Sequence, residues 1–179
     1  EKIRNFYIQD ETLKNDEEKM FSMGVDAVTV NRQDHVFIER NPFVHSIKYM
    51  YRKITKHPRI VDYKKAVNTL LDVDFKPDNV FPVVIPNWDH TPRSHLGGSV
   101  YQNSSPKLFR EYLVKVLKIV KNKKAEQQIV FLKAWNEWGE GNYIEPDLKW
   151  GRGYLEAVKS AVDEVFSGSE IKESKKNDT

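Results

Sequence analysis

The 179 residues contain no cysteine, which excludes disulfides, thiolate nucleophiles and thiolate-held metals. That absence fits a reducing compartment, and a cytoplasmic setting is expected. No stretch approaches the roughly 18 consecutive apolar residues that a membrane-spanning helix requires. An excess of one charge is missing too, since 29 basic and 26 acidic residues leave only +3. So small an excess, with the lysines dispersed, argues against nucleic acid as a partner. The five histidines are scattered without ligand spacing, so neither metal nor cofactor is expected. Gly97-Gly98 is not followed by the Lys-Ser/Thr of a phosphate-cradling loop, and no internal repeat is visible.

What is present suits one domain with a real core: 39% hydrophobic residues, 31% charged, and an aromatic share of 12%. Asn103-Ser104-Ser105 and Asn177-Asp178-Thr179 match the glycan acceptor pattern, which is short enough to arise by chance. The chain opens on Glu1 rather than methionine, and an upstream extension is expected.

Hydrophobic patterning predicts strands within KIRNFYIQD, over 25–30 (VDAVTV), over 81–89 (FPVVIPNWD) and over 128–135 (QIVFLKAW). Helices are expected over 10–21, within 45–54 and over 63–71. After FPVVIPNWD the segment HTPRSHLGGSVYQNSS reads as an irregular loop. Ser105-Pro106 then starts a helix, with serine at the N-cap and proline at the first position. Leu108, Phe109, Tyr112, Leu113, Val116, Leu117 and Val120 recur behind it at helical spacing. A closing helix covers 153–166, so the domain is read as 1–166, and the polar stretch 167–179 as a disordered tail. Repeated strand, loop and helix predict an α/β fold with parallel strands and helical crossovers. The chemically loaded loops follow strands, as in a (β/α)8 barrel. An open doubly wound sheet places ligands at the same strand ends, and it fits the length better than a barrel of roughly 250 residues.

The chemistry concentrates in FLKAWNEWGEGNYIEPD, residues 131–147, where Glu137 and Glu140 stand three apart among Trp135 and Trp138. A bare Glu-x-x-Glu usually marks a solvated helix face. Here it ends a hydrophobic strand, where unpaired charge is costly. Glycosidic chemistry needs a proton for the leaving oxygen and a second carboxylate opposite an oxocarbenium-like charge. Two carboxylates held together disfavour a second negative charge, so one can stay protonated near neutrality. Trp135 and Trp138 are either core residues or flat faces for a sugar ring. Asn136 and Tyr143 join them as candidate contacts, and Glu145 is a further polar contact or a partner for Arg152. Upstream, Trp88, Asp89 and Arg93 sit in PNWDHTPR. Asp89 can accept from sugar hydroxyls while Arg93 positions a hydroxyl or phosphate; alternatively the two form a salt bridge that stiffens the loop.

AWNEWGEGNYIEPD with GRGYLEAVKSAV closely resembles the C-terminal signature of the WbsX-like proteins, relatives of glycoside hydrolase family 99. PNWDHTPR resembles that group's upstream Trp-Asp-x-Thr-x-Arg segment, and GVDAVTV its GFDA strand. The resemblance is strong over 80–166 and looser over 24–30. It implies the C-terminal half of a (β/α)8 TIM-type barrel acting on glycans, with the N-terminal half, or another chain, completing it. WbsX-like members belong to lipopolysaccharide O-antigen and capsule synthesis and are labelled glycosyltransferases. Their hydrolase relatives cleave internal α-mannosidic bonds with two glutamates that fall on Glu137 and Glu140. There the first is thought to deprotonate the sugar's 2-hydroxyl, and the second to act as acid and then base. Gly139 departs from the bulkier residue of the hydrolases, so their substrate preference does not transfer.

Three readings follow. The first is a bacterial glycosyltransferase using Glu137 and Glu140 on a glycan or sugar-donor substrate. The second is an endo-α-mannosidase-like hydrolase, and the third a non-catalytic glycan-binding fragment.

Overall fold

The computed structural model describes residues 6–9, 16–39 and 41–174. Its main sheet has four strands: β1 (Phe6–Gln9), β2 (Ala27–Val30), β4 (Val80–Val84) and β6 (Phe131–Leu132). All neighbours are parallel, and spatial order follows chain order, β1-β2-β4-β6. The connections contain α1 (Asp16–Ser22), α2 (Pro42–Thr55), α3 (Tyr63–Leu70) and α5 (Pro106–Val120). The expected α/β architecture is therefore present: parallel strands with helical crossovers.

Local chemistry accounts for these boundaries. Every residue of β2 is buried, which is why AVTV reads as a continuous apolar run rather than an alternating one. β4 contains Pro82, which has no N–H to give a ladder. Its pairing with β2 ends at Pro82, and its pairing with β6 begins at Val83, so the proline sits at the handover. The side chain of Ser105 accepts from the Leu108 N–H at the head of α5, with Pro106 in the first turn. Asp62 caps α3 by accepting from the Lys64 N–H at 3.0 Å, which satisfies one of the N–H groups a helix start leaves orphaned.

The larger core cluster joins α3, β4 and α5 to α6 (Gly153–Ser174). Phe109, Tyr112, Leu113, Val116, Leu117 and Val120 of α5 are buried as the spacing requires, while Leu108 packs half-buried at the edge. Arg110 fastens α5 to α6 through Ser160 (2.8 Å) and Glu164 (2.6 Å). A smaller cluster of Val28, Val30, Phe75 and Val80 lies at the β2–β4 side. Buried tyrosines thread the larger core: Tyr63 donates to the Ile85 carbonyl at 2.6 Å. Burial pushes the Tyr63 and Tyr112 phenols well up.

The structure departs from the sequence reading in four places. Residues 90–105 are not irregular: they hold a short helix, α4 (Thr91–Ser94), a 3-10 turn (His95–Gly97) and β5 (Ser99–Gln102). β5 pairs in parallel with β3 (Arg59–Asp62), a second small sheet that no periodicity announced. The strand expected over 128–135 shortens to two residues, and a hairpin of β7 (Asn136–Glu137) and β8 (Asn142–Tyr143) follows it. The closing helix does not stop at Phe166; α6 continues to Ser174. Residues 175–179 of the expected tail, and residues 10–15 of the expected first helix, lie outside the described residues.

Because β4 and β6 are parallel neighbours, the segments leaving their carboxyl ends emerge side by side. Those segments are PNWDHTPR and KAWNEWGEGNY. Sheets of this kind bind ligands at that end.

Candidate active site

The two segments are joined first through their backbones. The Asp89 N–H donates to the Glu140 carbonyl at 2.8 Å. Gly141 makes that approach possible: it has φ +51°, and a Cβ on it would lie 2.8 Å from the Asp89 Cβ and 3.0 Å from its backbone N and O. Only glycine meets both demands without strain. Asn87 supplies the second joint. Its Nδ2 donates to the Tyr143 carbonyl (3.0 Å), and its Oδ1 accepts from the Tyr143 N–H (2.8 Å), as a paired strand residue would. The Asn142 Nδ2 donates in turn to the Asn87 carbonyl (2.9 Å). Asn87 and Asn142 are both buried, and the hairpin is thereby docked onto the end of β4.

The side chains then converge. Arg93 Nη1 donates to Glu140 Oε1 at 2.9 Å, and Arg93 Nη2 donates to Glu137 Oε1 at 3.0 Å. One guanidinium thus holds both glutamates, 44 and 47 residues away in sequence. Its fixed planar fork suits that task. Its charge also offsets the repulsion between the two carboxylates that the sequence reading invoked. His90 Nε2 stands 3.6 Å from Glu140 Oε1. The two acids differ in setting: the Glu140 side chain is 18% exposed and that of Glu137 42%. Gly139 leaves room for the fork, because a Cβ there would sit 3.0 Å from Arg93 Nη2 and 3.3 Å from Glu137 Oε1.

Among the described residues no ion pair joins Asp89 to Arg93; both have other partners. Asp89 Oδ1 accepts from the Thr91 N–H (3.0 Å) and hydroxyl (2.5 Å), which shapes the turn into α4. Trp88 is buried, donates its indole N–H to Ser99 Oγ (3.0 Å) and stacks on His90 with centroids 5.6 Å apart. It supports the site from beneath.

The other tryptophans are not core residues. Trp135 is 51% exposed and Trp138 47%. Trp138 stacks on Tyr143 with centroids 3.8 Å apart, and its indole N–H donates to Glu145 Oε2 at 2.8 Å. Glu145 therefore serves Trp138, and among the described residues no ion pair links it to Arg152. Burial, and then the charge of Asp147, push the Tyr143 phenol up. Asn136 is exposed on β7, paired with Tyr143. Sequence reasoning missed Asn87, Asn142 and His90 as members of this assembly. A buried asparagine between apolar neighbours at a strand end must find partners, and that was the available signal. Among the described residues no three His, Asp or Glu side chains gather so as to hold a metal ion.

Arg93 draws together two carboxylates beside an exposed, braced aromatic face. Such a set can exchange protons with a bound hydroxyl or bridging oxygen while the ring packs on a sugar. The chain matches the glycosyltransferase WbsX family over residues 1–158. Two relatives named WxcX, from two strains of Xanthomonas campestris pv. campestris, are each 30% identical over 104 residues. That alignment covers 58% of this chain and 15% of theirs, so the chain spans a small part of the curated relatives it matches. A solved structure titled glycoside hydrolase-like protein overlaps 76% of this chain and 37% of its own, at 21% identity and a TM-score of 0.42. With most of its length matched, the chain belongs to the WbsX glycosyltransferase family, a family of carbohydrate-active enzymes.

Proposed function

We propose that the chain is the C-terminal half of a (β/α)8 barrel and carries the acid–base pair of a glycosyltransferase in bacterial surface-polysaccharide synthesis, of lipopolysaccharide O-antigen or capsule. The strand order supports the barrel: it runs β1-β2-β4-β6 without reversal, whereas a doubly wound sheet reverses at its binding crevice. The remaining strands, from the same protein or another chain, complete the rim. A cytoplasmic placement accords with the absence of cysteine.

The observation that carries the enzymatic reading is the double ion pair of Arg93 with Glu137 and Glu140. In glycosyl transfer the bond from the anomeric carbon to the leaving oxygen breaks, and one to the acceptor oxygen forms. Glu140, the more enclosed acid, gives a proton to the departing oxygen and then takes the acceptor hydroxyl's proton. Glu137, the more open one, takes the proton of the donor sugar's 2-hydroxyl as that oxygen bonds to the anomeric carbon, and returns it when the acceptor oxygen displaces that bond. Arg93 positions both, Asp89 lies beside them to receive sugar hydroxyls, and Trp135, Trp138 and Tyr143 offer the ring its apolar surface. Asn136 and Glu145 complete the contact set, the latter by orienting Trp138.

Incubation with nucleotide- or lipid-linked sugar donors, in parallel with an α-mannan, tests this reading. Transfer to a sugar acceptor is expected. Free sugar released from mannan alone would replace the transferase with a hydrolase, and glycan binding without turnover on either would leave a binding fragment.

A further inference from the structure

α2 is built unlike its neighbours: it contributes no buried side chain, and only Val44 and Arg52 are half-buried. Phe43, Ile47, Met50 and Ile54 recur at i, i+4, i+7 and i+11, so they lie on one helical face. That face is open to solvent, with Phe43 74% and Ile54 73% exposed. A contiguous apolar stripe of this kind marks a docking surface.

The flanks say what it docks to. α2 carries Lys48, Arg52 and Lys53 and no Asp or Glu, and Lys56 follows immediately. At about 100° per residue, Lys53 falls on one side of the stripe and Lys48 on the other. Tyr49 and Tyr51 are exposed alongside. On the inner side of the helix, a cavity of about 530 Å³ is lined by His45, Lys48, Arg52, His57 and Arg59, with Glu39 as its one acid. Lys48 is paired with Glu39 at 2.6 Å, and the charge of Asp34 acts on Arg59. Arg59 lies 5.2 Å over the Phe37 ring; burial, and then the charge of Arg52, hold it below the usual guanidinium value.

We propose that α2 docks the protein onto an anionic phospholipid bilayer, with the Phe43-Ile47-Met50-Ile54 stripe entering the interface and Lys48 and Lys53, on its two sides, meeting lipid phosphates. The charge pattern selects this occupant: an acid-free helix with cations on both flanks of an apolar stripe, and tyrosines at head-group level, is the pattern of helices lying in a membrane interface. No described helix is long and apolar enough to cross a membrane, so α2 lies on the surface. This inference does not depend on the assignment of Glu137 and Glu140.

Co-sedimentation with vesicles of phosphatidylcholine alone, or mixed with phosphatidylglycerol, tests it. The protein pellets with the anionic vesicles, less so as salt rises. Ile47→Asp with Met50→Asp lowers that binding by at least about tenfold, and Lys53→Glu lowers it by about tenfold on anionic vesicles only, both with unchanged circular dichroism. Equal recovery on both vesicle types, none on either, or unaltered binding by the stripe variant would overturn the proposal. So would a stripe variant that changes the oligomeric mass of a protein that ignores vesicles, since the stripe would then be a protein interface.

Discussion

Replacing Asn87 by alanine removes both side-chain hydrogen bonds to Tyr143, of 3.0 and 2.8 Å, at a buried position. The bond from Asn142 to the Asn87 carbonyl uses main-chain oxygen and survives. Each lost bond is worth about 1 kcal/mol, and more where the partner is left unsatisfied away from water, so the substitution costs about 2–4 kcal/mol. Asn87→Asp is a sharper probe. It keeps an acceptor for the Tyr143 N–H but turns a carboxylate oxygen toward the Tyr143 carbonyl, so it should cost at least as much. Urea unfolding reads the loss of stability, and hydrogen exchange at the Tyr143 amide reads whether the hairpin has come away from β4. If Asn87→Ala stays within about 0.5 kcal/mol of the unmodified protein, with that amide still protected, Asn87 does not anchor the hairpin and this part of the reasoning fails.

Gly141→Ala combines a positive φ with a 2.8 Å approach to the Asp89 Cβ; a loss of about 2–4 kcal/mol is expected on denaturation, and a change under about 0.5 kcal/mol would contradict the close-approach argument. Arg93→Met removes partly exposed ion pairs and should alter stability by less than about 1 kcal/mol. Its turnover should nevertheless fall at least about tenfold, because neither glutamate is then held; unchanged turnover would show that the fork positions nothing. Alkali tests the core. Burial pushes the Tyr154 phenol up to about 12, so the stabilisation from burying its neutral form is complete below pH 10. It is lost as pH rises from 10 toward 12, on the order of 2 kcal/mol from this residue. The part of the phenolate absorbance that Tyr154→Phe removes should therefore rise together with loss of helical circular dichroism, and its appearance in a still-folded protein would contradict the assignment.

How much of this was readable depended on where each element's information lies. α5 was legible because its start is chemical, Ser105-Pro106, and its apolar positions recur over four turns. β2 and β4 were legible as buried β-branched runs. β3 and β5 were not: each has four residues, β3 is half exposed, and β5 joins β3 on one side and a single bridge at Asp89 on the other. The β7–β8 hairpin, with two residues in each strand, is too short to show any period, and it is fixed by Asn87 from 56 residues away.

The site divides in the same manner. Glu137 and Glu140 announced themselves by standing close to two tryptophans, and Asp89 and Arg93 by their motif. The partners of Arg93 did not, since four-residue spacing pointed toward Asp89 while the fold delivered the two glutamates. The exposure of Trp135 and Trp138 was equally hidden, because an aromatic residue after a strand can face either way. The charged, apolar face of α2 was present in the sequence as a helix, but only the packing shows that nothing described covers it.

Turnover of Glu137→Gln and Glu140→Gln by the full-length protein, measured beside glycan binding by the same variants, bears most directly on the central assignment. Each should bind glycan as the unmodified protein does and lose catalysis by at least about a hundredfold, the usual worth of a placed proton-transfer group. Full activity in either variant would contradict an acid–base pair gathered by Arg93.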